Sequence, residues 1–226
     1  MRRSSPLTWP KDPKLRTLFV AVLVTATVAL AGCGGSDQSG QAGPSSIGTP
    51  AAADGSTASA IELAKLKKQA GIAACPTSDQ KVAARPDGLP DVTLDCLGGG
   101  GEVRLAGLRG TPTVINIWAQ WCRPCRQEAP HLAALSAKAG DKINFLGIDY
   151  DDPDPAAAIE YAGMADWSYP QLQDQDKELK APLKILGPPQ TIFVDADGKI
   201  SYRHNGPYTS DAQLEQAIRD HLGVAL

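Results

Sequence analysis

The chain has 226 residues, 42% of them hydrophobic, 21% charged and 5% aromatic, which suits one well-packed core with extensions. A formal net charge of -3 at pH 7 provides no extended positive field to neutralise phosphates, so nucleic-acid binding is excluded as its role. Five cysteines, an odd number, indicate pairs plus one thiol with a separate fate if the protein is exported.

Arg2, Arg3, Lys11, Lys14 and Arg16 form a positive segment ahead of an apolar run from Leu18 to Leu30 that is short for a membrane span. This is the pattern of a signal peptide. The run ends in Leu30-Ala31-Gly32-Cys33, which resembles the lipobox of bacterial lipoproteins. That resemblance implies that residues 1–32 are removed and that Cys33 carries lipid. An uncleaved anchoring helix with a free Cys33 is the alternative, and both place the rest of the chain on the extracytoplasmic side of the cell membrane. Residues 33–60 are mostly Gly, Ser, Ala, Thr and Pro, with almost nothing to bury, and are expected to form a flexible linker. As a random coil of about 26 residues it would span roughly 28 Å.

The remaining 61–226 should fold as one domain. Ile61–Ala70 suits a helix with a cationic side, closed by Gly71. Val92-Thr93-Leu94 suits an edge strand, and Gly98–Gly101 a hairpin turn, since no Gly-Lys-Ser/Thr follows to make a phosphate loop. Thr113–Ala119 and Ile143–Tyr150 are β-branched and apolar in the manner of buried strands. Helices are predicted from Cys122 to Lys138 and from Pro155 to Ala165, completing a βαβ unit. Thr191–Val194 and Ile200–Arg203 flank the turn Asp195-Ala196-Asp197-Gly198, whose two carboxylates lack the further ligands of an EF-hand loop. A last helix begins at Ser210, with Gln213 at capping-box spacing, and presents Leu214, Ala217, Ile218, His221 and Leu222 on one face. The order β-α-β-α-β-β-α predicts an α/β fold: a mixed sheet with helices on both faces, in the thioredoxin arrangement.

The chemistry gathers at Trp121-Cys122-Arg123-Pro124-Cys125. A strand leading directly into a helix sets Cys122 at the helix N-terminus, where free backbone N–H groups and the helix dipole favour a thiolate. Motifs of this kind lower the cysteine pKa from about 8.5 to between about 3.5 and 7.5. Arg123 adds positive charge, and Pro124 pre-sets the first helical turn so that Cys125 can reach back. Cys122 would attack a disulfide and Cys125 would resolve the mixed disulfide. The same four-residue spacing also occurs in structural disulfides and zinc sites. Zinc needs about two more ligands, however, while Cys75 and Cys96 lack ligand spacing and His131, His204 and His221 are scattered.

Trp118-Ala119-Gln120-Trp121-Cys122-Arg123-Pro124-Cys125 resembles the Trp-Ala-x-Trp-Cys-x-x-Cys signature of the thioredoxin superfamily. Pro130 matches the proline that kinks the active-site helix there, and Gly187-Pro188-Pro189-Gln190-Thr191 resembles the family's cis-proline loop, with the cis bond at Pro189. Arg126-Gln127-Glu128-Ala129-Pro130 is similar to the TlpA/ResA-like (DsbE-like) branch of membrane-tethered bacterial proteins, over roughly Leu89 to Leu222. One departure matters: Asn116 stands where cytoplasmic thioredoxin has a buried Asp. Glu128 is then either a substitute proton relay for Cys125 or a solvated helix residue.

In an oxidising compartment Cys75 and Cys96 are expected to form a structural disulfide, a second redox pair being the rival reading. The expected function is extracytoplasmic thiol-disulfide exchange needing no cofactor and no metal. The resemblance implies exported protein clients such as apocytochrome c, and a membrane-embedded redox donor or acceptor. A metal- or ligand-binding lipoprotein and an AhpC/TSA-like thiol peroxidase are the alternatives. The Pro-x-x-x-Thr-x-x-Cys setting of a peroxidatic cysteine is absent before Cys122.

Overall fold

The computed structural model describes residues 58–226. The signal-like segment, Cys33 and almost all of the linker lie outside the described residues. From Ala60 the order is α1 (Ala60–Gln69), β1 (Thr93–Asp95), β2 (Glu102–Arg104), β3 (Thr113–Trp118), α2 (Arg123–Ala139), β4 (Asn144–Tyr150), α3 (Pro155–Met164), β5 (Gln171–Asp174), β6 (Gln190–Val194), β7 (Ile200–Asn205) and α4 (Asp211–Leu222). Five strands form a mixed sheet in the order β5-β4-β3-β6-β7. The β3–β4 and β4–β5 pairs are parallel, whereas β3–β6 and β6–β7 are antiparallel.

β3 is central because all six of its residues are buried, as a continuous β-branched and apolar run requires when both faces are covered. Its Val114 and Trp118 belong to one core cluster, and its Ile115 and Ile117 to the other. The first cluster takes side chains from α2, α3 and α4, with Leu63 and Leu66 of α1 packed against it. The second is closed by the β1–β2 hairpin and by Leu179, Leu183 and Ile185 from a turn-rich segment. Thus the mixed sheet of the thioredoxin arrangement is present, but the four α-helices collect on one face, and the expected helices on both faces are corrected accordingly. Parallel order explains this: β3, β4 and β5 step in one direction, so right-handed crossovers put α2 and α3 on the same side.

The sequence does not announce β5. Its Gln-Leu-Gln-Asp composition has little apolar periodicity, yet Leu172 is fully buried and the strand extends the sheet beyond β4. The Gly98–Gly101 turn joins β1 to β2 as a hairpin, with Asp95 opposite Glu102. Gly98 is required there: its φ is +73°, and a Cβ would press on Ile159 and Lys67 at 3.0 Å. At α4 the Ser210 Oγ accepts the Gln213 N–H at 3.3 Å, while Gln213 Oε1 accepts from Thr209 rather than from Ser210, so the expected capping box is shifted by one residue.

Candidate active site

The β3 strand ends at Trp118, and a short loop later Cys122 caps α2, which starts at Arg123. Cys122 Sγ accepts the Cys125 N–H at 3.2 Å, so the sulfur occupies the place that an N-cap oxygen usually fills. Pro124 in the first turn costs no helical hydrogen bond. Cys122 and Cys125 are joined by a disulfide with Cα atoms 5.3 Å apart, Cys122 at 3% exposure and Cys125 fully buried. Both cysteines are buried, and what distinguishes them is position: Cys122 Sγ sits at the N-cap of α2, where backbone N–H groups converge, and Cys125 lies inside the first turn.

The loop before the helix is held from β4's side. Gln120 N–H donates to Asp152 Oδ2 at 2.8 Å, and Trp121 Nε1 donates to the Asp151 carbonyl at 3.1 Å. Arg126 clamps the same loop by donating to the Gln120 carbonyl at 2.8 Å, and its guanidinium lies 4.9 Å from the Tyr161 ring centroid. Arg123 is exposed beside the cysteines. Trp121 remains half exposed.

The Pro188–Pro189 peptide bond is cis. Register explains its location by the cysteines: Gln190, the next residue, pairs with Ile117 at the end of β3 that leads to Cys122. The Pro189 carbonyl accepts the Gly206 N–H, and Gln190 Nε2 donates to Asn205 Oδ1 at 2.9 Å, so β7 fixes the loop from the other side. Leu186, at the start of this loop, is 88% exposed.

Glu128 lies one turn beyond Cys125 on α2 and is fully buried, so the solvated-helix reading does not hold. Asn116 Nδ2 donates to its Oε1 at 3.2 Å and the Tyr208 N–H to its Oε2 at 3.3 Å. Burial without a cation pushes the Glu128 carboxyl up to about 8, the two hydrogen bonds opposing this only in part. Asn116, marked in the sequence as the departure from thioredoxin, is thus the residue that contacts Glu128. Tyr208 could not be anticipated, because its contribution is a backbone N–H.

Cys75 and Cys96 are also joined by a disulfide, which ties the segment after α1 to the end of β1. Among the described residues no group of three or more His, Cys, Asp or Glu side chains is placed to hold a metal ion. Trp167 is core: it is fully buried, with its Nε1 donating to the Ala129 carbonyl at 3.1 Å. His204 and His221 stack on Tyr208 and Tyr202, and His131 contacts Asp211 at 2.6 Å. Sequence reasoning missed two buried carboxylates at the end of β4, Asp149 and Asp152. The signal was present in an acidic residue inside an otherwise apolar strand.

A Cys-x-x-Cys disulfide at a helix N-terminus, next to a cis-proline loop on a mixed sheet, defines a thioredoxin-fold protein with a redox-type cysteine pair. The redoxin family model matches residues 84–218, and the chain belongs to that family. It is 36% identical over 121 residues to the thiol:disulfide interchange protein DsbE of Pseudomonas fluorescens biotype C, covering 52% of this chain and 65% of that protein. To DsbE of Escherichia coli K12 it is 35% identical over 121 residues, covering 52% and 63%. The chain therefore spans less than two thirds of the length of these relatives. Among solved structures, a secreted disulfide oxidoreductase of Mycobacterium tuberculosis homologous to DsbE matches with a TM-score of 0.52 at 26% identity, over 57% of this chain and 96% of that one. A thioredoxin-family thiol:disulfide interchange protein of Chlorobium tepidum matches with a TM-score of 0.52 at 26% identity, over 63% and 100%.

Proposed function

We propose that the protein is an extracytoplasmic thiol-disulfide oxidoreductase acting on exported proteins through Cys122 and Cys125. The observation that carries this reading is the Cys122–Cys125 disulfide at the start of α2, with Cys122 Sγ at the helix N-cap accepting the Cys125 N–H. In the reducing direction the Cys122 thiolate attacks a client disulfide, forms a mixed disulfide and releases one client thiolate. The Cys125 thiolate then attacks Cys122 Sγ, which releases the second client thiolate and closes the Cys122–Cys125 bond. Two electrons pass to the client, and the reverse sequence oxidises a client dithiol.

The other residues have supporting roles. Glu128, with its carboxyl raised to about 8, exchanges a proton with the Cys125 sulfur in place of the missing aspartate at position 116: its ionised form accepts the thiol proton, and its protonated form returns one in the reverse direction. Arg123 stabilises the Cys122 thiolate, which tilts the pair toward the oxidising end of the range from about -270 to about -120 mV. The cis-Pro189 loop pairs with the client backbone, and Trp121 and Leu186 offer apolar contact to an unfolded client. Cys75–Cys96 is structural, and closing a loop of this size stabilises by about 3 kcal/mol in the chain-entropy model. Cys33 anchors the chain to the membrane by lipid, and the linker over 33–60 lets the domain of 61–226 reach its clients, apocytochrome c among them, and a membrane-embedded redox partner. Similarity to thiol:disulfide interchange proteins and to a secreted oxidoreductase supports both the reaction and the compartment.

Exchange with a cysteine-containing peptide disulfide tests the reading. Cys122→Ser should abolish it, and Cys125→Ser should accumulate trapped mixed disulfides. Full activity of the Cys122 variant would end the assignment.

A further inference from the structure

Two carboxyl groups that the exchange chemistry does not use, Asp149 and Asp152, are both fully buried where β4 runs into the loop before α3. Asp152 has its oxygens occupied: Oδ2 accepts the Gln120 N–H at 2.8 Å and Oδ1 the Asp154 N–H at 3.2 Å. Among the described residues Asp149 has no N–H or hydroxyl donor on either oxygen, and it lies within hydrogen-bonding reach of Asp152. Two carboxyl groups can share such a bond only if one carries a proton. Asp152, which accepts two amides, is suited to be the anion, so the proton sits on Asp149.

We infer that Asp149 is a positioning residue: its protonated carboxyl donates to Asp152, and Asp152 in turn holds the Gln120 amide and with it the loop that presents Cys122. The chain of contacts is continuous. Asp151, between the two carboxyls, accepts Trp121 Nε1 through its carbonyl, so the loop after β4 grips the loop before α2 at two successive residues. Asp154, whose N–H reaches Asp152, also caps α3 through the Ala157 N–H. Losing the proton would set two anions side by side in the interior, and the pair would have to separate or admit water.

The surroundings leave Asp152 as the charge that acts on Asp149. Its strand neighbours are Trp118 on β3 and Gln173 on β5, neither of which titrates. The charged groups on the adjoining segments are already engaged: Arg126 of α2 with the Gln120 carbonyl, Asp151 with Lys177 at 3.0 Å, and Asp154 at the α3 cap. Burial first, and Asp152 second, push Asp149 up to about 9, which puts the release of the grip in mildly alkaline solution.

The inference rests on Cys122–Cys125 as the redox centre, but its test does not need turnover. In the oxidised protein neither cysteine titrates, and the NMR signals of the Gln120 amide and the Trp121 indole N–H report on the loop directly. Both should shift with a common midpoint near pH 9 in the wild type. They should keep that midpoint in Glu128→Gln and lose it in Asp149→Asn, whose amide donates to Asp152 at every pH. No common step between about pH 7 and about pH 10.5 in the wild type, or a step that survives in Asp149→Asn, would overturn the inference. If Asp149→Asn does not fold, the wild-type carboxyl carbons, labelled at Asp, decide: a midpoint for Asp149 near the ordinary value of about 4 also overturns it.

Discussion

Glu128 is a carboxyl group kept in an apolar interior with two hydrogen-bond donors and, among the described residues, no cation paired with it, and this has a thermodynamic consequence. Between pH 4.5 and about 8 the unfolded chain gives up this proton while the folded chain keeps it. The unfolded state then binds fewer protons, so stability falls as pH rises through that window and levels off above it. Glu128→Gln removes the loss. In urea titrations of the oxidised protein its unfolding free energy at about pH 9 should exceed that of the wild type by about 1–3 kcal/mol, a difference that vanishes near pH 4.5. The Asn116 Oδ1, which has no partner among the described residues, can accept from the new amide after a side-chain flip. Parallel pH profiles for the two proteins would mean that water reaches the carboxyl group. At this scale the sequence was most informative where chemistry depends on local spacing: Cys122, Cys125 and Pro189 are close neighbours of one strand end or helix start. It was silent about Asp149, Asp152 and the Tyr208 amide, because their partners come from register between strands and loops that spacing does not encode.

Elements with strong periodicity were legible. β3 and β4 are apolar runs, and α4 has Leu214 and Ile218 four residues apart on its buried face. β5 was hidden because its side chains serve polar contacts inside the protein. Gln171 is fully buried; its Oε1 accepts Trp118 Nε1 at 3.0 Å, and its backbone carbonyl accepts the Leu97 N–H. This glutamine fits only because β4 has Gly147 opposite it, where a Cβ would run into the Gln171 side-chain amide. Gly147→Ala should therefore expel the amide and leave the Trp118 indole N–H without a partner. The expected cost is about 2–4 kcal/mol, read from the urea midpoint at unchanged slope, with altered tryptophan emission. A loss below about 0.5 kcal/mol would show that Gln171 has room to move and does not position Trp118.

Across the described residues as a whole the division of labour follows the layers. One face of the sheet is covered by four helices, the other by a hairpin and turns, and the cysteine pair sits where β3 crosses from sheet to helix. The buried central strand leads to the sulfur, and the loop after β4 and the cis-proline loop hold its approaches. The one-sided arrangement was not legible in the sequence, since it depends on the direction in which the extra strand β5 is added. All of the proposed exchange chemistry depends on easy ionisation of Cys122 at the helix N-terminus. The most direct test is the pH dependence of Cys122 alkylation in the Cys125→Ser variant, where no other thiol in the pair competes. A midpoint below about 7.5 is predicted, and one at or above the unperturbed value of about 8.5 would contradict the account.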